Sequence, residues 1–222
     1  MKNELQSIRR ETEQLKAKID AGNQRPILAR GFDETGGIVG TYKCDGTPAK
    51  DTEGAFYFDF IDKMLPVFFS SKRYGVISSG RSAGKSWGAG RFILMKAISE
   101  PCRILCARET LISLAESMYS LLSDLIREND YLGTQFEIFQ NRISCIPTAS
   151  EILFKGLRRD RVESSIKSIE KIKYAVIEES QVISKVSLQI LRPSIRDEGS
   201  RIIFLINPRF ADDAVFQEFC SG

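Results

Sequence analysis

The segment Ser79-Gly80-Arg81-Ser82-Ala83-Gly84-Lys85-Ser86 constrains this chain more than any other. It lies between an apolar run at Tyr74–Ser78 that reads as a strand and a run at Lys85–Ser99 that reads as a helix, with Pro101 marking the exit. Small residues in such a turn let backbone N–H groups curl around phosphate oxygens, and the helix N-terminus adds the positive end of its dipole. Lys85 can then reach the β- and γ-phosphates of a nucleotide, and the Ser86 hydroxyl can ligate Mg²⁺. The strict pattern G-x-x-x-x-G-K-[ST] wants glycine where Ser79 stands, and Gly80 comes one place later. Read blandly, the same residues are a strand–turn–helix junction capped by serine.

A phosphate turn requires a partner: a later apolar strand that ends in an acid. Residues 174–179, Tyr-Ala-Val-Ile-Glu-Glu, fit that requirement. Glu178 would hold the metal shell, and Glu179 would point differently and polarise the attacking water. Taken alone, two glutamates after an apolar run are also an ordinary solvated strand end. Roughly ninety residues separate the two motifs, room for an intervening strand, for which residues 103–107 are the candidate. Parallel strands would set both motifs at the carboxyl edge of the sheet, where ligands bind. Arg201–Ile206 reads as a further apolar strand ending in Asn207-Pro208. Asn207 could sense the γ-phosphate, or Asn-Pro could simply turn the chain. Arg81, inside the turn, could stabilise charge on the γ-phosphate or pair with a surface acid.

The remaining pattern alternates strands with helices, which implies an α/β fold with a largely parallel sheet flanked by helices. Short strands are expected at Phe136–Phe139, 142–146 and 151–154, and helices near 114–125 and 185–191. Residues 1–20 are charged, with Leu5, Ile8, Leu15 and Ile19 at helical spacing, and residues 21–54 are rich in Gly, Asp, Thr and Pro. They read as an N-terminal helical and extended arm, residues 1–54, ahead of a nucleotide-binding domain at 55–222.

Composition narrows the chemistry. With no histidine, His-dependent triads and His-rich metal sites are excluded. Five cysteines without a CxxC pair argue against a zinc cluster or disulfide framework. The apolar stretches are strand-sized, so no membrane span is expected. A net charge of +3 is too mild to announce nucleic-acid binding. Residues 155–173 are a local exception, with seven basic and three acidic side chains, a net of 7 − 3 = +4. DNA phosphates or a neighbouring subunit's nucleotide would suit that stretch, as would plain solvent.

Taken in order, SGRSAGKS, RILCARE at 103–109, SIKSIE at 165–170, VIEES at 176–180, LRPSIRD at 191–197 and INP at 206–208 resemble the large-subunit terminase ATPase of PBSX-type tailed phages. The resemblance runs from about residue 64 to 219. It implies a RecA-like ASCE P-loop ATPase that hydrolyses ATP with Mg²⁺ to thread double-stranded DNA into a procapsid. Its implied partners are a portal protein and a small terminase subunit, in a homo-oligomeric ring in the host cytoplasm. It gives Ser79, Gly80, Arg81, Ser82, Ala83, Gly84, Lys85 and Ser86 to ATP, and Ser86 with Glu178 to the metal. Glu179 becomes the catalytic glutamate, Arg81 the arginine of the phosphate loop, and Asn207 the coupling residue. Ser79 and Ser82 depart from glycines common in relatives, and Ser180-Gln181 stand where relatives tend to have Ala-Glu. The family's RNase H-like nuclease has no counterpart in these residues, so no nuclease activity is expected from them. The rival readings are a helicase-like or other RecA-like remodeller and a non-catalytic assembly protein that keeps the fold.

Overall fold

The computed structural model describes residues 25–80, 82–109, 115–157, 171–208 and 213–220. The expected helix at 1–20, Arg81, and residues 158–170 of the basic stretch lie outside the described residues. Three strands come first: β1 (Ile27–Phe32), β2 (Ile38–Lys43) and β3 (Phe56–Ile61). They form one small sheet in the order β2-β1-β3, with β1 antiparallel to β2 and parallel to β3. This corrects the expectation of a loose arm over 21–54. The Gly- and Asp-rich stretches there are ordered turns. Asp33 Oδ1 accepts from the Thr35 and Gly37 backbone N–H groups, both at 2.8 Å. The pairing of β1 with β3 also crosses the expected division between 54 and 55.

After a short helix α1 (Leu65–Phe68), the chain enters a seven-stranded sheet. Its strands are β4 (Tyr74–Ser78), β5 (Arg103–Arg108), β6 (Phe136–Phe139), β7 (Arg142–Cys145), β8 (Glu151–Gly156), β9 (Ile172–Ile177) and β10 (Arg201–Ile206). The order is β4-β10-β9-β5-β8-β7-β6. The first five strands in that order are parallel, and β7 and β6 fold back antiparallel. The helices are α2 (Lys85–Ser99), α3 (Ser120–Arg127), α4 (Asp130–Gln135), α5 (Lys185–Ser194) and α6 (Ala214–Phe219). Among the described residues, no helix is long and apolar enough to cross a membrane.

The central strands are apolar at successive positions because both faces of the sheet are covered. Alternate residues serve opposite cores. Ile104, Cys106, Val176 and Ile203 pack with α2, α3 and the small sheet, whereas Leu105, Ala107, Ile177 and Phe204 pack with α5 and α6. Helix α2 runs between the two sheets and buries residues all round its axis, from Gly88 to Ala97. Its two-sided burial requires close approach. A Cβ on Gly88 would come within 3.1 Å of Met64 Sδ. Phe60, Phe68 and Phe92 continue the contact, with ring centroids 5.7 and 5.1 Å apart along that series. Lys96, on the same helix, reaches across to donate to the Cys44 carbonyl at 2.7 Å.

Arg201 opens β10 and is buried, with its guanidinium spread over three backbone carbonyls. Nε donates to Lys72 at 2.9 Å, Nη1 to Phe68 at 2.6 Å and Nη2 to Val67 at 2.7 Å. Two of these carbonyls belong to the end of α1, where a helix leaves acceptors unsatisfied. The one side chain thus fixes α1 to the edge of the main sheet. Burial holds its pKa below the usual arginine value. Replacing it with methionine leaves those acceptors without donors. The expected loss is about 3 kcal/mol of unfolding free energy, read as a lower midpoint in urea titration of the full chain.

Candidate functional site

The phosphate turn begins where β4 ends. Ser79 N donates to Ile206 O at 3.3 Å, so the turn leaves the sheet beside the end of β10. Ser82 has φ +60° and Gly84 φ +73°. These two left-handed residues bend the chain into the start of α2, at a strain cost for the serine that glycine avoids. Gly84 is the N-cap and offers no side chain, so the first-turn N–H groups of α2 have no side-chain cap. They face a cleft of about 360 Å³ lined by Ser82 to Trp87, Arg108, Ser117, Glu178, Glu179, Gln181, Leu205 and Asn207.

Lys85 folds back over the turn. Its ammonium donates to Ser79 O at 2.7 Å, Ser79 Oγ at 3.0 Å, Gly80 O at 2.8 Å and Asn207 Oδ1 at 3.3 Å. All four acceptors are uncharged oxygens, so they organise the cation without neutralising it. Desolvation lowers its pKa. An anion entering the cleft meets a preset positive charge at the mouth of a helix.

The opposite wall comes from β9. Glu178 N donates to Ala107 O at 2.9 Å, which extends the β9–β5 pairing and fixes the backbone at the sheet's carboxyl edge. Its buried carboxylate accepts from Ser86 Oγ at 2.8 Å and from Ser117 Oγ at 2.6 Å. Ser86 and Glu178 are 92 residues apart in sequence, so this contact joins the two motifs directly. Glu179 takes φ +45°, ψ +45°, a left-handed conformation. Its carboxylate forms an ion pair with Arg108 at the end of β5. Arg108 Nη1 also donates to Ser117 Oγ at 3.3 Å. Asn207 is held from both sides: its N–H donates to Gln181 Oε1 at 3.1 Å, while its side chain accepts from Lys85.

The structure therefore gathers Ser79, Gly80, Ser82, Ala83, Gly84, Lys85, Ser86, Glu178, Glu179 and Asn207 around one cleft. Arg81 lies outside the described residues. Sequence reasoning gave no site role to five further residues of the cleft: Trp87, Arg108, Ser117, Gln181 and Leu205. Arg108 carried a usable signal, as a charged residue at the carboxyl end of a parallel strand. Ser117 carried none. It sits in a turn of π-helix at Ala115–Tyr119, where the sequence reads as plain amphipathic α-helix.

Against this geometry, a family model for the phage terminase large subunit matches residues 71–222, more than half of the chain. The chain belongs to that family. Solved structures agree in fold. The large terminase of a thermophilic bacteriophage superposes with a TM-score of 0.59 at 13% identity, over 71% of this chain and 41% of that one. The large terminase of bacteriophage HK97 gives 0.57 at 12% identity, over 76% and 35% respectively. The large terminase ATPase domain of Thermus phage P74-26 gives 0.51 at 14% identity, over 66% and 64%. The first of these three proteins also occurs in complexes with ADP and with ATP-gamma-S. No curated protein sequence matches. The terminase chain thus carries a RecA-like α/β fold, and it spans about two fifths of the length of that first relative.

Proposed function

We propose that this terminase chain binds ATP in the cleft and hydrolyses it to drive double-stranded DNA into a procapsid. The observation that carries the reading is the 2.8 Å contact between Ser86 Oγ and Glu178 Oε1, with Lys85 and Glu179 beside it. A catalytic centre for phosphoryl transfer needs those four groups around one triphosphate. The complexes of the thermophilic-phage relative with ADP and ATP-gamma-S support the same ligand here.

The residues fit a divalent cation. A serine hydroxyl and a carboxylate within hydrogen-bond reach are hard oxygen donors of the kind Mg²⁺ takes alongside phosphate oxygens and water. Ser86 would hold it directly and Glu178 through its hydration shell. When bound, Mg²⁺ neutralises charge on the β- and γ-phosphates. The chain's own groups do the rest. The turn and the N-terminus of α2 cradle the phosphates. Lys85 exchanges its carbonyl acceptors for phosphate oxygens. Glu179 orients a water and accepts its proton as that oxygen bonds to the γ-phosphorus and the bond to the β–γ bridging oxygen breaks. Its ion pair with Arg108 has to loosen first, which makes Arg108 a restraint on premature turnover. Asn207, bonded to the turn that follows Glu179 and to Lys85, links the phosphate site to the end of β10. Arg81 has its role in the charge of the transferring group.

Family membership supports, as part of the same proposal, a homo-oligomeric ring on a portal protein, with a small terminase subunit, in the host cytoplasm. Basic residues of the 155–173 stretch are candidates for DNA contact. Lys173 is the exception, because it pairs with Glu100. The test is a steady-state ATPase assay with Mg²⁺, with and without double-stranded DNA. The expected result is magnesium-dependent phosphate release that rises with DNA. Nucleotide binding with no turnover under either condition would instead favour a non-catalytic assembly protein.

A further inference from the structure

The cleft described above accounts for the phosphates and the metal but names nothing for the base. Trp87 follows Ser86 in the first turn of α2 and lines the same cleft, yet it is 47% exposed. Among the exposed large apolar side chains of the described residues, Trp87 is the one that lines the cleft, so its open ring is available to a ligand seated there. The indole is also held from behind. The Arg91 guanidinium, one helical turn on, lies 5.8 Å from the ring centroid. Arg91 is in turn tied to the small sheet, its Nη1 donating to Asp59 O at 2.8 Å, and Asp59 pairs with Arg30 at 2.9 Å. Ile61, at the end of β3, is a second exposed apolar residue at this rim. Its Cδ1 stands 3.1 Å from where a Cβ on Gly84 would lie.

We propose that Trp87 is the platform on which the nucleobase of the bound nucleotide stacks, with Ile61 as its apolar neighbour and Arg91 as its brace. The proposal rests on the nucleotide reading of the cleft and adds the base subsite to it. Two arguments support it. Phosphates seated on the turn at Lys85 oblige the rest of the nucleotide to leave past the adjoining rim, and Trp87 is the flat apolar surface there. The brace from Asp59 through Arg91 holds the ring in place before ligand arrives, which lowers the ordering cost of stacking. The small sheet formed by β1, β2 and β3 therefore belongs to the nucleotide site through Asp59 and Ile61. Stacking reads ring area and not base edges, so this contact gives affinity to ATP and GTP alike.

Trp87 is the chain's one tryptophan, so its emission reports on this subsite alone. The experiment titrates the full chain, with Mg²⁺, using ATP-gamma-S and GTP-gamma-S, and using tripolyphosphate as the probe without a base. Emission is read in parallel with calorimetry. Both nucleotides are expected to quench Trp87 and to bind more tightly than tripolyphosphate, which binds without quenching. Trp87→Ala is expected to weaken both nucleotides about tenfold and leave tripolyphosphate unchanged, and Trp87→Phe to keep most of the affinity. Equal affinity for tripolyphosphate and nucleotide, or nucleotide binding that leaves the emission unmoved, overturns the base platform while the phosphate site stands. Failure of all three probes to bind overturns the nucleotide reading and the platform with it.

Discussion

Glu179→Gln binds ATP with an affinity close to that of the parent chain and hydrolyses it at least about a thousandfold more slowly. The substitution keeps the shape of the side chain and its capacity to hydrogen-bond, and removes only its basicity. A neutral amide can still be held near Arg108 but cannot take a proton from water. The proposed metal-holding pair Ser86 and Glu178 is unchanged, because their hydroxyl–carboxylate bond does not involve the Glu179 side chain. Binding and turnover should therefore separate, as read by calorimetry with ATP and by phosphate release. A variant that kept full turnover would remove Glu179 as the base. Arg108 or a residue outside the described set would then have to orient the water.

Lys85→Ala should lose nucleotide binding by about a hundredfold or more. Two effects add. The variant loses a charge-assisted contact to the phosphates. It also leaves the carbonyls of Ser79 and Gly80 without the donor that now organises them. The turn already carries a strained residue at Ser82, so it depends on that central cation for its shape. Calorimetry with ATP-gamma-S measures the affinity. A circular dichroism melt checks that the rest of the fold survives, as it should, since Lys85 touches neither core cluster. Affinity within a few-fold of the parent would mean that the turn is not the phosphate site.

Much of the sheet was legible. The apolar runs at Tyr74–Ser78, Phe136–Phe139 and Arg201–Ile206 become strands with those bounds, and Lys85–Ser99 becomes a helix. Continuous apolar runs and a glycine before a helix are strong local signals, and here tertiary packing agrees with them. The small sheet was not legible. β1 and β2 are short and joined by Asp- and Gly-rich turns, so the stretch 21–54 taken as a whole has the composition of a linker. Only the burial of Leu28 and Ala29 against the core tells the two apart. The candidate site divides in the same way. Lys85, Ser86, Glu178 and Glu179 were readable because phosphate and metal chemistry demands those groups at the ends of elements. The Arg108–Ser117 contact was not, because it joins the end of β5 to a π-helical turn whose geometry no periodicity announces. Trp87 was visible as a residue but not as part of a site, since its exposure and its brace from Arg91 depend on where β3 lies.

The most direct measurement is a crystal structure of the Glu179→Gln variant with ATP and Mg²⁺. The predicted result has the Lys85 ammonium moved from the Ser79 and Gly80 carbonyls onto the β- and γ-phosphates, with the Ser86 hydroxyl on the metal and the Glu178 carboxylate in its water shell. A nucleotide bound elsewhere on the molecule would contradict the reading. So would one seated at the turn with its metal beyond the reach of Ser86 and Glu178.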